Sequence, residues 1–415
     1  MTTIFSGMGS PDALLSGTAS ANKPLRVNAH IHLPPNFSAF ETAKQAIDLA
    51  KEQGITVLGV SNYYDYSVYE EFTALARQNG IFPVFGLEII TLDDALVKSG
   101  VLINDPGNPG KFYICGKGIT KFNPLSPDAL ALLNVIRERD SGRMAAVTDR
   151  LAVRFSEAGL DTGLTATAVK ERVVARHGSP IETVYLQERH VAQAFQEILF
   201  ERIPTTERAG LLARAFGVTP KSAPDDANAV QNEIRSALMK AGKPAFVPET
   251  FVDREHAFRL ILALGGVPCY PTLADGTIPV CGFEEPVEDL IARLKNYGFT
   301  CAEFIPIRNT PEVLAKYVSA MRDAGIVVTA GTEHNTRDLL PIAPTCLKGA
   351  PIPAETRAIF EEGACVLAAH QYLASRGEPG FVGAGGEPNP DFATDEARIA
   401  HFAKLGKAVI DKYLG

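Results

Sequence analysis

Apolar residues in the first third of the chain fall in short unbroken runs, separated by stretches with a helical period. Residues 25–32 read as a strand, residues 40–53 as an amphipathic helix ended by Gly54, and residues 56–61 as a second strand. A helix over 68–78 stops at Asn79-Gly80, residues 82–90 form a third strand, and residues 112–119 a weaker fourth. These runs are apolar throughout, not at every second residue, which predicts parallel strands buried on both faces.

From 126 to 243 the pattern is helical almost without interruption. Ser126-Pro127 opens one helix with proline in its first turn, and Arg176-His177-Gly178 closes another with the glycine expected beyond a helix C-terminus. Residues 181–203 read as one long helix. Alternation resumes with helices at 254–264, 287–297 and 311–323 and strands at 267–270, 301–304 and 327–330, seven strands in all. The organisation predicted is a leader (1–24), an α/β barrel (25–125 and 244–345), an all-helical insertion (126–243) and a C-terminal helical extension (346–415). Both ends of the insertion are expected at the barrel rim, with the segment between them capping the mouth.

A chain of 415 residues with 46% hydrophobic content can bury a barrel core. Its net charge of -8 gives no footprint for nucleic acid or anionic membrane, so a small-molecule substrate is expected. The six cysteines show no C-x-x-C pair and read as buried thiols of a reducing compartment. The first two dozen residues lack the regions of a signal peptide, and no apolar run is long enough to span a bilayer, which predicts a cytoplasmic protein. Assembly into a homo-oligomer is left open.

In a parallel barrel the chemistry sits where the strands end. The first strand ends Asn28-Ala29-His30-Ile31-His32, and a period of two places both imidazoles on one face, as half of a metal site. The third ends Phe85-Gly86-Leu87-Glu88, and the last runs into Gly331-Thr332-Glu333-His334-Asn335, so three strand ends carry ligand-type residues. Arg308, past the sixth strand, suits a phosphate or carboxylate as well as a surface ion pair. Lys117, between two glycines after the fourth strand, suits an anion or a proton-transfer role. Asn335 is a candidate for substrate contact. His190 reads as a solvated helix residue, His256 and His401 as structural, and His370 as a neighbour of the site. No Gly-x-Ser-x-Gly elbow is present.

The order of these motifs resembles the polymerase and histidinol phosphatase (PHP) family over residues 25–122 and 251–337: H-x-H, then G-x-E, then Gly-Gly-Val before a proline, then Gly-Thr-Glu-His. The resemblance implies a distorted seven-stranded (β/α) barrel, TIM-related, that hydrolyses phosphoesters with two or three metals. It places His30, His32 and Glu88 on the family's ligands. Elsewhere the chain departs: Asn62-Tyr63 stands for Asp-His, with Asp65 two residues on, Tyr113 or Cys115 for a histidine, and Cys269-Tyr270-Pro271 for Ala-His-Pro. Glu333-His334-Asn335 stands for Asp-x-His, which leaves either Glu333 or His334 as the ligand. Tyrosine is a poor ligand while protonated, so one divalent ion (Mn, Zn, Fe or Mg) is expected. Tyr63 and Tyr270 then become proton donors or space-filling rings. The expected function is a metal-dependent hydrolase of a phosphoester or related small molecule. The alternatives are a metal-dependent isomerase or lyase of a sugar or sugar acid, and a metal-free binding module.

Overall fold

The structure is a computed structural model in which residues 4–16 and 24–415 are described. Strands β1 (Val27–Ile31), β2 (Val57–Val60), β3 (Phe82–Leu92), β4 (Lys111–Lys117), β5 (Val267–Thr272), β6 (Cys301–Phe304) and β7 (Val327–Ala330) form one seven-stranded sheet in chain order. The sheet curls until its edges meet: Ile31 bridges Glu333, the His32 N–H donates to the Glu333 carbonyl at 2.9 Å, and the Thr332 N–H to the His30 carbonyl at 3.0 Å. The result is a nearly closed, distorted α/β barrel. Its short parallel strands are apolar and buried on both faces because side chains fill the barrel inside and helices cover it outside.

The fourth strand departs from the expected parallel order. β4 runs antiparallel to both β3 and β5. Its first residues therefore reach the mouth, where the parallel strands end, and its last residue, Lys117, lies toward the floor. Lys117 is correspondingly interior, with Nζ donating to the Ala29 carbonyl at 3.1 Å and to Ser61 Oγ at 3.2 Å.

The helical segment consequently starts at the floor and not, as expected, at the mouth rim. Helix Pro127–Glu157, opened by Ser126 capping the Ala129 N–H, is 31 residues long and so about 46 Å. Its early apolar positions Ala129, Leu132, Leu133 and Ile136 belong to the barrel core. Met144, Val147, Leu151 and Phe155 belong to a second core shared with the helices that follow. The long helix expected over 181–203 is split: Ile181–Thr183 is a single 3-10 turn, the chain then extends, and the helix begins at Glu188 and ends at Arg202. His190 explains the break. It is buried, not solvated, and its Nδ1 accepts the Gln187 N–H at 3.1 Å, so it closes the new helix start.

Helix Ala354–Ser375 packs across β7, β1 and β3 on the floor side. Gln371 on it accepts the Phe85 N–H at 2.9 Å and donates to the Pro83 carbonyl at 3.0 Å. Gly363 permits the approach, since a Cβ there would lie 2.1 Å from the Val328 carbonyl oxygen. The described part of the leader also packs here, with the Phe5 and Tyr372 ring centroids 5.5 Å apart. His370 belongs to this floor, held by the Gly265 carbonyl and the Phe381 N–H, far from the mouth. Among the described residues no helix is long and apolar enough to cross a membrane.

Candidate metal centre

His30 and His32 project from the end of β1 into the barrel, and Glu88 meets them from β3. The two Nε2 atoms are 3.2 Å apart, and Glu88 Oε2 lies 3.1 Å from His32 Nε2 and 3.5 Å from His30 Nε2. Three donor atoms thus converge from two strands, all on buried residues. Glu88 Oε2 is buried and faces the two imidazole nitrogens. A buried carboxylate oxygen is costly unless a cation or a donor answers it, and two nitrogens with one oxygen are the donor set of zinc, manganese or iron sites. The residues present therefore fit a divalent ion.

Beneath this trio lies Glu303 of β6, a residue that the motifs do not single out. Its Oε1 holds His30 Nδ1 at 2.9 Å and its Oε2 meets Lys117 Nζ at 2.6 Å. A carboxylate on the far ring nitrogen fixes the tautomer and orientation that aim Nε2 at an ion. Burial by itself lowers the His30 pKa, but the Glu303 charge overrides it and carries the value up to about 9. Burial likewise favours neutral Glu303, yet His30 and Lys117 hold it down at about 2. The signal available in sequence was a glutamate inside an otherwise apolar strand, Cys301-Ala302-Glu303-Phe304.

The other expected residues divide. Tyr63 stacks on His32, with centroids 5.3 Å apart and planes 9° apart, and faces the mouth. Burial, then the neighbouring Glu88 charge, keeps its phenol protonated well above the usual range. Glu333 and Asn335 also face the mouth, but the Glu333 carboxylate is gripped by both terminal nitrogens of Arg308 and accepts from Asn335 Nδ2 at 2.7 Å. Glu333 is therefore not one of the three converging donors, and Arg308 is occupied by an ion pair while still lining the cavity.

His334 is not a ligand in this arrangement. Its Nδ1 meets Thr332 Oγ1 at 2.8 Å and its Nε2 the Leu340 carbonyl at 2.9 Å, with the ring stacked on Phe40. Glu333 and His334 both have positive φ, 58° and 52°, so the chain turns sharply here and its side chains do not alternate as on a strand. Tyr270 is also misplaced by the reading from motifs. It points out of the barrel, fully buried against Phe112, Phe283 and Phe299, and its hydroxyl donates to Glu284 Oε1 at 2.7 Å. Alternation along β5 turns Cys269 inward and Tyr270 outward. Lys117, expected at the mouth as an anion or proton-transfer group, is instead the buried partner of Glu303. Asn62 clamps the backbone of Leu33 with both ends of its amide, and Asp65 pairs with Arg137.

Above the trio opens a cavity of about 670 Å³, roofed by the helical segment. Tyr113 lines it from β4, and Lys111, Arg143, Arg189, Arg235 and Lys240 make it rich in cations. Asp140, bonded by the Tyr64 hydroxyl at 2.7 Å, also lines it, and burial lifts its carboxyl to about 6. Asp140 and Arg143 lie on the apolar stripe of their helix, a departure from pattern that marks them in the sequence as inward-facing.

No protein-family model and no curated protein matches the chain. Four solved chains match its fold, among them the following two. One is an amidohydrolase from Chromobacterium violaceum, determined with sulfate bound and no metal, at 17% identity and a TM-score of 0.50, over 80% of this chain and 96% of that one. The other is a candidate metal-dependent phosphoesterase from Bifidobacterium adolescentis, at 16% identity and a TM-score of 0.51, over 80% and 94% respectively. At these identities the likeness is one of fold: the chain is an α/β barrel of the shape found in both.

Proposed function

We propose that this protein is a metal-dependent hydrolase of a small anionic substrate, a phosphoester in the first instance, with a single divalent ion held by His30, His32 and Glu88. The observation that carries the reading is the convergence of these three buried donors at the base of a cavity lined by charged side chains of both signs. The names of the two proteins of similar fold agree with it. A second grouping, His30 with Cys115 and Glu303, fits an ion poorly. Burial holds the Cys115 thiol protonated, and the Lys117 ammonium already occupies the Glu303 carboxylate.

The ion, when bound, would polarise a phosphoryl or carbonyl oxygen and bring the pKa of water toward neutrality. The chain's own groups do the rest. Glu303 fixes His30, Tyr63 packs flat on His32, and both keep the ligands aimed without backbone movement. Tyr63 offers a phenol proton at the cavity wall. The roof limits water around the reacting atoms. Elemental analysis of the purified protein, followed by a panel of phosphomonoesters beside a panel of aldoses and uronates, tests the reading. A stoichiometric divalent ion with phosphate release is the result expected. Turnover of sugars alone would transfer the site to the isomerase or lyase class, and protein free of metal and of turnover would make it a binding module.

A further inference from the structure

The cavity has a second pole, built by the helical segment, that the proposed hydrolysis does not use. Glu188 serves three cations at once: Lys240 at 2.6 Å, Arg143 at 3.0 Å and Arg235 at 3.6 Å. Lys111 is answered by Glu249 at 3.0 Å and Asp105 at 3.5 Å. Arg189, next in the chain, has no such partner. Among the described residues its guanidinium meets the face of Phe37 at 5.9 Å and no carboxylate, and it lines the cavity. Glu333 lies in electrostatic range but is held by Arg308.

Arg235 is also underserved. Its contact with Glu188 is long, and its Nε is buried with no hydrogen-bond partner. It begins the π-helical turn Arg235–Met239, a wide turn of a kind found often at functional sites. Two guanidiniums facing one cavity, Arg189 with no carboxylate and Arg235 with only a long share of Glu188, are expensive to keep there. Burial and the Arg235 charge pull the Arg189 pKa down to about 10. A fork of planar donors is answered best by an oxyanion with two free oxygens.

We propose that Arg189 and Arg235 form an anion-binding subsite in the roof of the cavity, which takes a phosphate or carboxylate group of the substrate remote from the bond broken at the His30, His32 and Glu88 pole. This rests on the hydrolase reading only for the word substrate, since the subsite itself binds an anion with or without turnover. A substrate of this class carries two anionic ends, one for each pole.

Titration calorimetry with inorganic phosphate and, separately, with succinate tests it on three proteins: the full chain, its His30→Ala/His32→Ala variant and its Arg189→Met variant. Phosphate or succinate should bind the histidine variant about as well as the parent, and bind Arg189→Met at least about tenfold more weakly. Arg189→Lys, which keeps the charge over Phe37 and loses the fork, should fall between, and guards against reading a folding defect as a binding defect. The stronger of the two anions identifies the group. Unchanged affinity in Arg189→Met, loss of binding in the histidine variant, or no binding of either anion to the parent at millimolar concentration overturns the subsite. None of these outcomes depends on finding metal or turnover, so the subsite and the hydrolase reading can fail separately.

Discussion

Lys117 and Glu303 meet at 2.6 Å in the barrel interior with neither side chain exposed to solvent. A buried pair of this kind is tolerated because each charge answers the other, so removing one partner is far worse than removing both. Lys117→Met should lower the unfolding free energy by about 3–5 kcal/mol in urea titrations, while Lys117→Met/Glu303→Gln recovers much of it. A single variant as stable as the parent would show that the pair is not the counterweight described here.

Removal of the ligands should leave the fold standing. The barrel closes through apolar contacts and backbone bonds, so His30→Ala/His32→Ala should stay folded by circular dichroism yet lose most of its bound metal by elemental analysis. Retention of one ion per chain in that variant would sink the assignment of the centre.

The outward turn of Tyr270 makes a prediction opposite to its place in the motif. Tyr270→Phe should leave turnover within about twofold of the parent, because general acid or base help is worth about 10² to 10⁴ and this hydroxyl gives none. It should lower stability by about 1–2 kcal/mol, since Glu284 loses a buried donor. A hundredfold fall in kcat would restore the tyrosine to the mechanism.

Glu284 also sets a pH dependence. Burial raises its carboxyl from 4.5 to about 7, against the pull of the Tyr270 hydroxyl and the Leu273 and Ala274 N–H groups. The folded state therefore binds the proton more tightly than the unfolded chain. Its contribution is fully present below pH of about 4.5 and is lost as pH rises through about 7. From urea titrations, the unfolding free energy of the parent relative to that of Glu284→Gln should fall between those limits at a rate approaching about 1.4 kcal/mol per pH unit. Glu284→Gln, which mimics the protonated carboxyl, should lack this fall, and an identical slope in both proteins would remove Glu284 as its source.

What could be read from the residues was the part governed by short-range pattern. The seven strands, the inward pair His30 and His32, and the approach of Glu88 follow from apolar runs and a period of two. The direction of β4 was not legible, because residues 93–110 include a short helix, Asp94–Ser99, and look like an ordinary strand-helix-strand connection. That one reversal moved Lys117 from mouth to floor and displaced the start of the helical segment. The directions of His334 and Tyr270 were left open for a related reason: a motif alignment says which residue comes next, while two left-handed residues or one step along a strand decide where it points. Glu303, Asp140 and Arg189 come together only through tertiary structure.

Helix Pro127–Glu157 has one further consequence. It lends its first half to the barrel core and its second half to the core of the roof, without a break between them. Two bodies joined by a hinge can melt one after the other, but two bodies that share a rod cannot, since fraying either end strips contacts from both. The protein should therefore lose its roof and its barrel in a single cooperative transition, and the roof should breathe by rigid tilting of its helices and not by local unfolding.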